Sequence, residues 1–129
     1  MKHLLLACLF PMTLTAETMQ QLTEQLGKTV LYGDVALSPD STHVAWVQST
    51  AASTSTQTNV CETSGNAPAT MLKIPINGKR TDFDPAWSPD SKTVAVFSSA
   101  GEGEQRQLWS FKADGSDPKR ITNLKGYAA

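Results

Sequence analysis

The chain has 129 residues, of which 40% are hydrophobic and 18% charged, with a formal net charge of -1. That length accommodates one modest domain or a piece of a larger one. A near-neutral balance lacks the basic face that nucleic acid or an anionic membrane selects for, so neither is expected as a partner.

Met1-Lys2-His3, the apolar run at 4–10 and the small or polar Thr13-Leu14-Thr15-Ala16 read as a secretory signal over residues 1–16, cut after Ala16. The run is too short to span a bilayer. Leu5-Leu6-Ala7-Cys8 has the residue order of a lipoprotein signal, but Cys8 leaves no working apolar segment before it. A periplasmic or secreted location is therefore expected, with no membrane contact after cleavage. Cys61 is then the single cysteine left, and without a second it staples nothing. It reads as a half-buried strand residue.

Residues 17–28 predict a short helix: Met19, Leu22 and Leu26 form one apolar stripe and Gly27 is a natural stop. So few apolar contacts require the helix to dock on something else. From Thr29 the period changes to two, with Val30, Tyr32, Val35 and Leu37 leading into Ser38-Pro39-Asp40-Ser41. Pro39 presets φ for the second position of a turn and Asp40 suits the third. Ser41 and, later, Ser91 stand where glycine is the usual residue; either the turn avoids positive φ or it is strained there.

Val44, Trp46 and Gln48 then alternate with Ala45 and Val47, an apolar pattern on both faces that predicts a strand covered on both sides. Residues 49–58 are a polar, low-complexity connector. Further strands are expected at 59–63 and 69–74, separated by the turn residues 64–68. A second set follows: strands at 83–87, 93–98, 107–112 and 119–122, with Ser88-Pro89-Asp90-Ser91 and Asp114-Gly115 as turns. Residues 100–104 make a loop.

The two Ser-Pro-Asp-Ser turns align at a shift of 50 residues, Ser38 onto Ser88, and the flanking apolar pattern repeats without a gap. An internal repeat of this period predicts an array of similar units. Four short strands per unit suit a propeller blade, giving an all-β fold of about two blades, one at 29–80 and one at 81–129, the latter with the start of a link to a third. Arrays of this kind usually need about three or more copies, so the chain is expected to be a fragment, a truncated reading frame or one part of an assembly.

The run Trp87-Ser88-Pro89-Asp90-Ser91-Lys92, then Val94-Ala95-Val96-Phe97, Gln107-Leu108-Trp109, Asp114-Gly115 and Lys119-Arg120-Ile121-Thr122 resembles the Trp-Ser-Pro-Asp-Gly propeller repeat. That repeat is known from TolB-like periplasmic proteins and from the N-terminal propeller of prolyl oligopeptidase and dipeptidyl peptidase-like serine peptidases. The likeness is good over 83–122, fair over 34–48 and weak over 49–80. Ser41 and Ser91 depart from the family's glycine. A signal, a short helix and then the first Ser-Pro-Asp turn favour the peptidase branch. The resemblance implies a non-catalytic propeller that gates or positions peptide substrate for an α/β-hydrolase domain. The alternative it implies is a TolB-like scaffold acting through protein partners.

The chain itself offers no catalytic, cofactor or metal residues. Gly-x-Ser-x-Gly, the strained elbow that exposes a hydrolase serine, does not occur; Gly115-Ser116-Asp117-Pro118 lacks the second glycine. His3 falls in the signal and His43 on a strand. Asp82-x-Asp84 has no ring of oxygen ligands around it and reads as turn and strand-cap carboxylates. Gly101-Glu102-Gly103 lacks the third glycine of a dinucleotide loop. Trp46, Trp87 and Trp109 read as core, and Lys119-Arg120 as a solvated strand end. The residues singled out, Ser38, Pro39, Asp40, Ser88, Pro89 and Asp90, are structural turns.

Overall fold

The computed structural model describes residues 16–100 and 105–125; the expected signal before Ala16, most of the loop at 100–104 and the end at 126–129 lie outside them. Among the described residues one helix, α1 (Ala16–Gly27), precedes eight strands: β1 (Val30–Leu37), β2 (His43–Thr50), β3 (Gln57–Glu62), β4 (Thr70–Met71), β5 (Arg80–Trp87), β6 (Thr93–Ala100), β7 (Gln107–Lys112) and β8 (Lys119–Arg120). They form two four-stranded sheets, β1-β2-β3-β4 and β5-β6-β7-β8, in which every neighbouring pair is antiparallel. The order follows the chain because each connection is short, and the cheapest closure joins consecutive strands. Among the described residues no helix is long and apolar enough to cross a membrane.

The eight strands fall where the alternating patterns lie, and the outer ones are shorter than expected. β4 covers two residues of the predicted 69–74, and β8 two of 119–122. In β8 side chains replace the ladder: Leu108 N–H donates to Thr122 Oγ1 at 2.9 Å, and Gln107 Oε1 accepts from Leu124 N–H at 3.0 Å. The second sheet opens at Arg80, one residue before the expected boundary.

β1 and β5 each carry a bulge at matching places, between Tyr32 and Val35 and between Phe83 and Ala86. Pro85 sits inside the second bulge, where its missing N–H breaks no ladder bond. α1 ends at Gly27 with three-residue hydrogen bonds from Lys28 and Thr29, and Ala52 N–H ties the first sheet to Gly27 O at 3.1 Å. Its stripe of Met19, Leu22 and Leu26 remains exposed, so the docking that the helix needs is not made by the sheets.

The core lies between the sheets. Ala45, Val60, Leu72 and Ile74 from the first pack against Val94, Val96, Trp109 and Phe111 from the second, with Trp87 at their margin. Side chains alternate along a strand, so β2 sends Ala45 and Val47 inward and leaves Val44 and Trp46 half-buried on the opposite face. Trp109 is buried as expected of a core residue, whereas Trp46 lies on that outer face.

Candidate functional site

The two Ser-Pro-Asp-Ser turns have the same construction. In the first, Ser38 N–H bonds His43 O at 2.9 Å and Ser41 N–H returns to Ser38 O at 2.8 Å. Ser38 Oγ donates to Asp40 Oδ1 at 2.7 Å and accepts from His43 N–H at 3.0 Å. Asp40 Oδ1 accepts further from Thr42 N–H at 3.0 Å and from Thr42 Oγ1 at 2.7 Å. In the second, Ser88 N–H bonds Thr93 O at 2.8 Å, Ser88 Oγ donates to Asp90 Oδ1 at 2.6 Å, and Lys92 and Thr93 N–H complete the circuit. Serine and aspartate are needed because a short hydroxyl and a carboxylate satisfy the backbone groups that the turn turns away from any ladder.

These bonds favour the charged carboxylates. The Ser38 hydroxyl, then Thr42, pulls Asp40 down from the ordinary aspartate value to about 2. Asp90 is lowered by Ser88 and then by the Lys92 N–H, and Asp114 in the β7–β8 turn by Ser116. A carboxylate with a depressed folded-state pKa stabilises the fold fully above its unfolded value near 4 and loses that contribution as pH falls through the folded value. For Asp40 the window runs from about pH 4 down to about 2. The stability gap between wild type and Asp40→Asn is therefore expected to narrow across that range in urea titrations. A gap that stays constant from pH 7 to 2 would show the carboxylate to be idle.

Ser41 and Ser91 both have positive φ, 62° and 61°, so the turns take the strained alternative. The two serines differ in surroundings: Ser41 is exposed, while Ser91 is buried and its Oγ accepts from Asp40 N–H of the first sheet at 3.0 Å. Ser41→Gly is expected to raise stability by about 1 kcal/mol, since glycine removes the left-handed penalty. Ser91→Gly gains the same relief and loses a hydrogen bond worth about 1 kcal/mol, so its net effect is near zero. Equal urea midpoints for the two variants would contradict this.

The turns and bulges also join the sheets. Trp87 Nε1–H donates to Ala36 O at 2.9 Å, and Asp84 N–H to Asp34 Oδ2 at 3.3 Å. Asp84 occupies its bulge with φ 48° and is exposed, a local backbone role close to the expected one. Asp82 departs from its expected role. Instead of capping a turn, its side chain is fully buried between the sheets. It pairs with Arg80, whose other nitrogen donates to Leu72 O. It also accepts from Ser98 Oγ at 2.7 Å, Thr58 Oγ1 at 2.9 Å and Thr58 N–H at 2.9 Å. One signal was available: Arg80 and Asp82, opposite charges two apart on one strand face, stand where the first repeat has Val30 and Tyr32.

The remaining candidates stay apart. Cys61 is half-buried on β3. The His43 ring bonds Thr42 Oγ1 at 2.8 Å and lies 5.7 Å from the Trp87 ring. Ser116 bonds its own turn's Asp114. Lys119 reaches Asp117 at 3.4 Å in an exposed pair. A cleft of about 240 Å³ between the sheets is lined by His43, Cys61, Glu62, Pro68 and Asp114. That is below the roughly 300–1,000 Å³ of small-molecule sites. Among the described residues no three His, Cys, Asp or Glu side chains gather as metal ligands. The geometry is that of a seam between sheets.

No family model matches the chain. Over 97 residues it is 31% identical to the uncharacterized peptidase YuxL of Bacillus subtilis (strain 168), a match covering 70% of this chain. The match takes in 14% of the relative's length, so the chain corresponds to a small part of that protein.

Proposed function

We propose that the two sheets are consecutive blades of a β-propeller in a secreted serine peptidase of the prolyl oligopeptidase kind. In this reading the propeller is non-catalytic. It admits and positions peptide substrate for an α/β-hydrolase domain, and the catalytic serine, acid and histidine belong to that domain. The observation that carries the reading is the Ser-Pro-Asp-Ser repeat. Its two copies build two like sheets that stack through matching turns, in a chain similar to a peptidase. A periplasmic or extracellular site follows from the signal-like residues 1–16.

The reading is tested on the native protein that carries this segment, purified from its source with an antibody against residues of the second sheet. A fluorophosphonate probe is expected to label it, with cleavage of proline-containing chromogenic peptides. The 129-residue chain alone is expected to remain unlabelled, because it contains no Gly-x-Ser-x-Gly elbow. A native protein that resists the probe removes the peptidase reading and leaves the TolB-like scaffold, to be followed by its co-purifying protein partners.

A further inference from the structure

The link between the sheets runs from Ile74, buried in the seam, to Arg80, which holds Asp82. Within it Asn77 and Gly78 are exposed and outside any strand, and Gly78 has a φ of 113°. The flanking backbone bonds are Ile76 N–H to Ile74 O at 2.8 Å and Thr56 N–H to Arg80 O at 3.2 Å. Among the described residues neither the Asn77 side-chain amide nor the Gly78 N–H has a hydrogen-bond partner. Glycine has no Cβ to crowd its own nitrogen, so the Gly78 nitrogen is free to approach Asn77 Cγ. Asparagine is among the thermolabile residue types, and here its amide carbon and a mobile nucleophile are chain neighbours.

The other sites with the same potential are restrained. At Asp114-Gly115 the Gly115 N–H is committed to Lys112 O at 2.8 Å. Asp114 Oδ1 accepts from Ser116 N–H at 2.9 Å and from Ser116 Oγ at 2.5 Å, and an ionised carboxylate is a poor electrophile at neutral pH. Asn59 is buried in β3 and precedes the β-branched Val60. Asn66 precedes Ala67, and Asn123 precedes Leu124 and accepts from Arg120 at 3.1 Å. In each of these the next residue carries a Cβ beside the attacking nitrogen.

We propose that Asn77-Gly78 is a site of spontaneous deamidation. The Gly78 nitrogen gives its proton to solvent and attacks Asn77 Cγ. The bond from Cγ to the side-chain nitrogen breaks, ammonia leaves with a proton taken from solvent, and a cyclic succinimide remains. Water then opens the ring. Breaking the bond from Cγ to the Gly78 nitrogen gives aspartate. Breaking the bond from the Asn77 main-chain carbonyl carbon gives isoaspartate, whose backbone runs through Cβ and Cγ. Water is consumed, ammonia is released and no electrons change hands. Either product places a new carboxylate next to Lys79, and isoaspartate also lengthens the link that Ile74 and Arg80 anchor. This inference rests on the geometry of the link and not on the peptidase reading.

The test ages the 129-residue chain in native buffer, with near-UV circular dichroism of the tryptophans checking the fold at each time point. A more acidic species is expected to accumulate on ion exchange, faster at alkaline than at neutral pH because the attacking nitrogen must lose its proton. Peptide mapping is expected to place the amide loss at Asn77, with Asn59, Asn66 and Asn123 intact. Asp114-Gly115 is expected to yield isoaspartate only in chain aged in urea. Asn77→Gln keeps an amide that cannot close the same ring, and it is expected to abolish the acidic species. Three results would each overturn the proposal. They are a folded chain whose Asn77 stays intact while the urea-unfolded chain converts, amide loss first at another asparagine, and an undiminished acidic species in Asn77→Gln.

Discussion

Replacing Asp82 by alanine is expected to remove about 3–5 kcal/mol of folding stability, the cost of stranding one member of a buried ion pair. The carboxylate is enclosed by donors from both sheets: Arg80 and Ser98 from its own, Thr58 from the other. Its removal leaves the Arg80 guanidinium, itself largely buried, with Leu72 O as its remaining partner. It also strips an acceptor from Thr58 N–H at the centre of the seam, and an unmet buried donor costs about 1–3 kcal/mol. Since a domain holds about 5–15 kcal/mol in total, Asp82→Ala should lose a large share of its stability. Asp82→Leu combined with Arg80→Met removes both charges and is expected to recover most of the loss, because apolar replacements of buried pairs are often neutral or better. Tryptophan fluorescence in urea reads both results. An Asp82→Ala midpoint within about 1 kcal/mol of wild type would mean that water already reaches the pair.

The second large effect is expected at Gly115, with Gly65, its counterpart one repeat earlier, as the control. Both glycines have positive φ, 85° and 101°, so alanine at either meets the left-handed penalty of about 1–2 kcal/mol. Their surroundings differ. A Cβ at Gly65 meets nothing within 4 Å, while one at Gly115 meets Thr70 Cγ2 at 3.1 Å and Leu72 and Val60 methyls at 3.3 Å. Those atoms belong to the first sheet, which has little room to yield because Val60 and Leu72 are buried core. Overpacking adds about 1–3 kcal/mol, so Gly115→Ala is expected to cost about 2–5 kcal/mol and Gly65→Ala about 1–2 kcal/mol. Equal losses in paired melts would be incompatible with a β7–β8 turn packed on the first sheet.

Local features were legible to the extent that local chemistry causes them. The strand positions followed from alternation, and Pro39 and Pro89 marked the turns through their fixed φ. Gly27 marked the helix end. The docking expected of α1 is not made by the sheets, and its stripe of Met19, Leu22 and Leu26 stays exposed. β8 is shorter than the expected 119–122 because Thr122 and Gln107 side chains take over ladder positions, a substitution that depends on side-chain reach across strands. Asp82 was misread for a related reason. A carboxylate beside turn residues looks solvated until Thr58, 24 residues away, is brought against it.

The sequence by itself determined the two-unit organisation, because the Ser-Pro-Asp-Ser turn and the alternating strands that flank it recur 50 residues apart. It also determined the turn chemistry, since serine, proline and aspartate act within a few bonds of one another. Only the tertiary structure decided which face of each sheet is covered. Burial depends on what a second sheet brings to it, so Val47 and Phe97, or Gly65 and Gly115, share a sequence position and differ in surroundings. The same stacking decided that Ser91 and not Ser41 holds a bond across the seam.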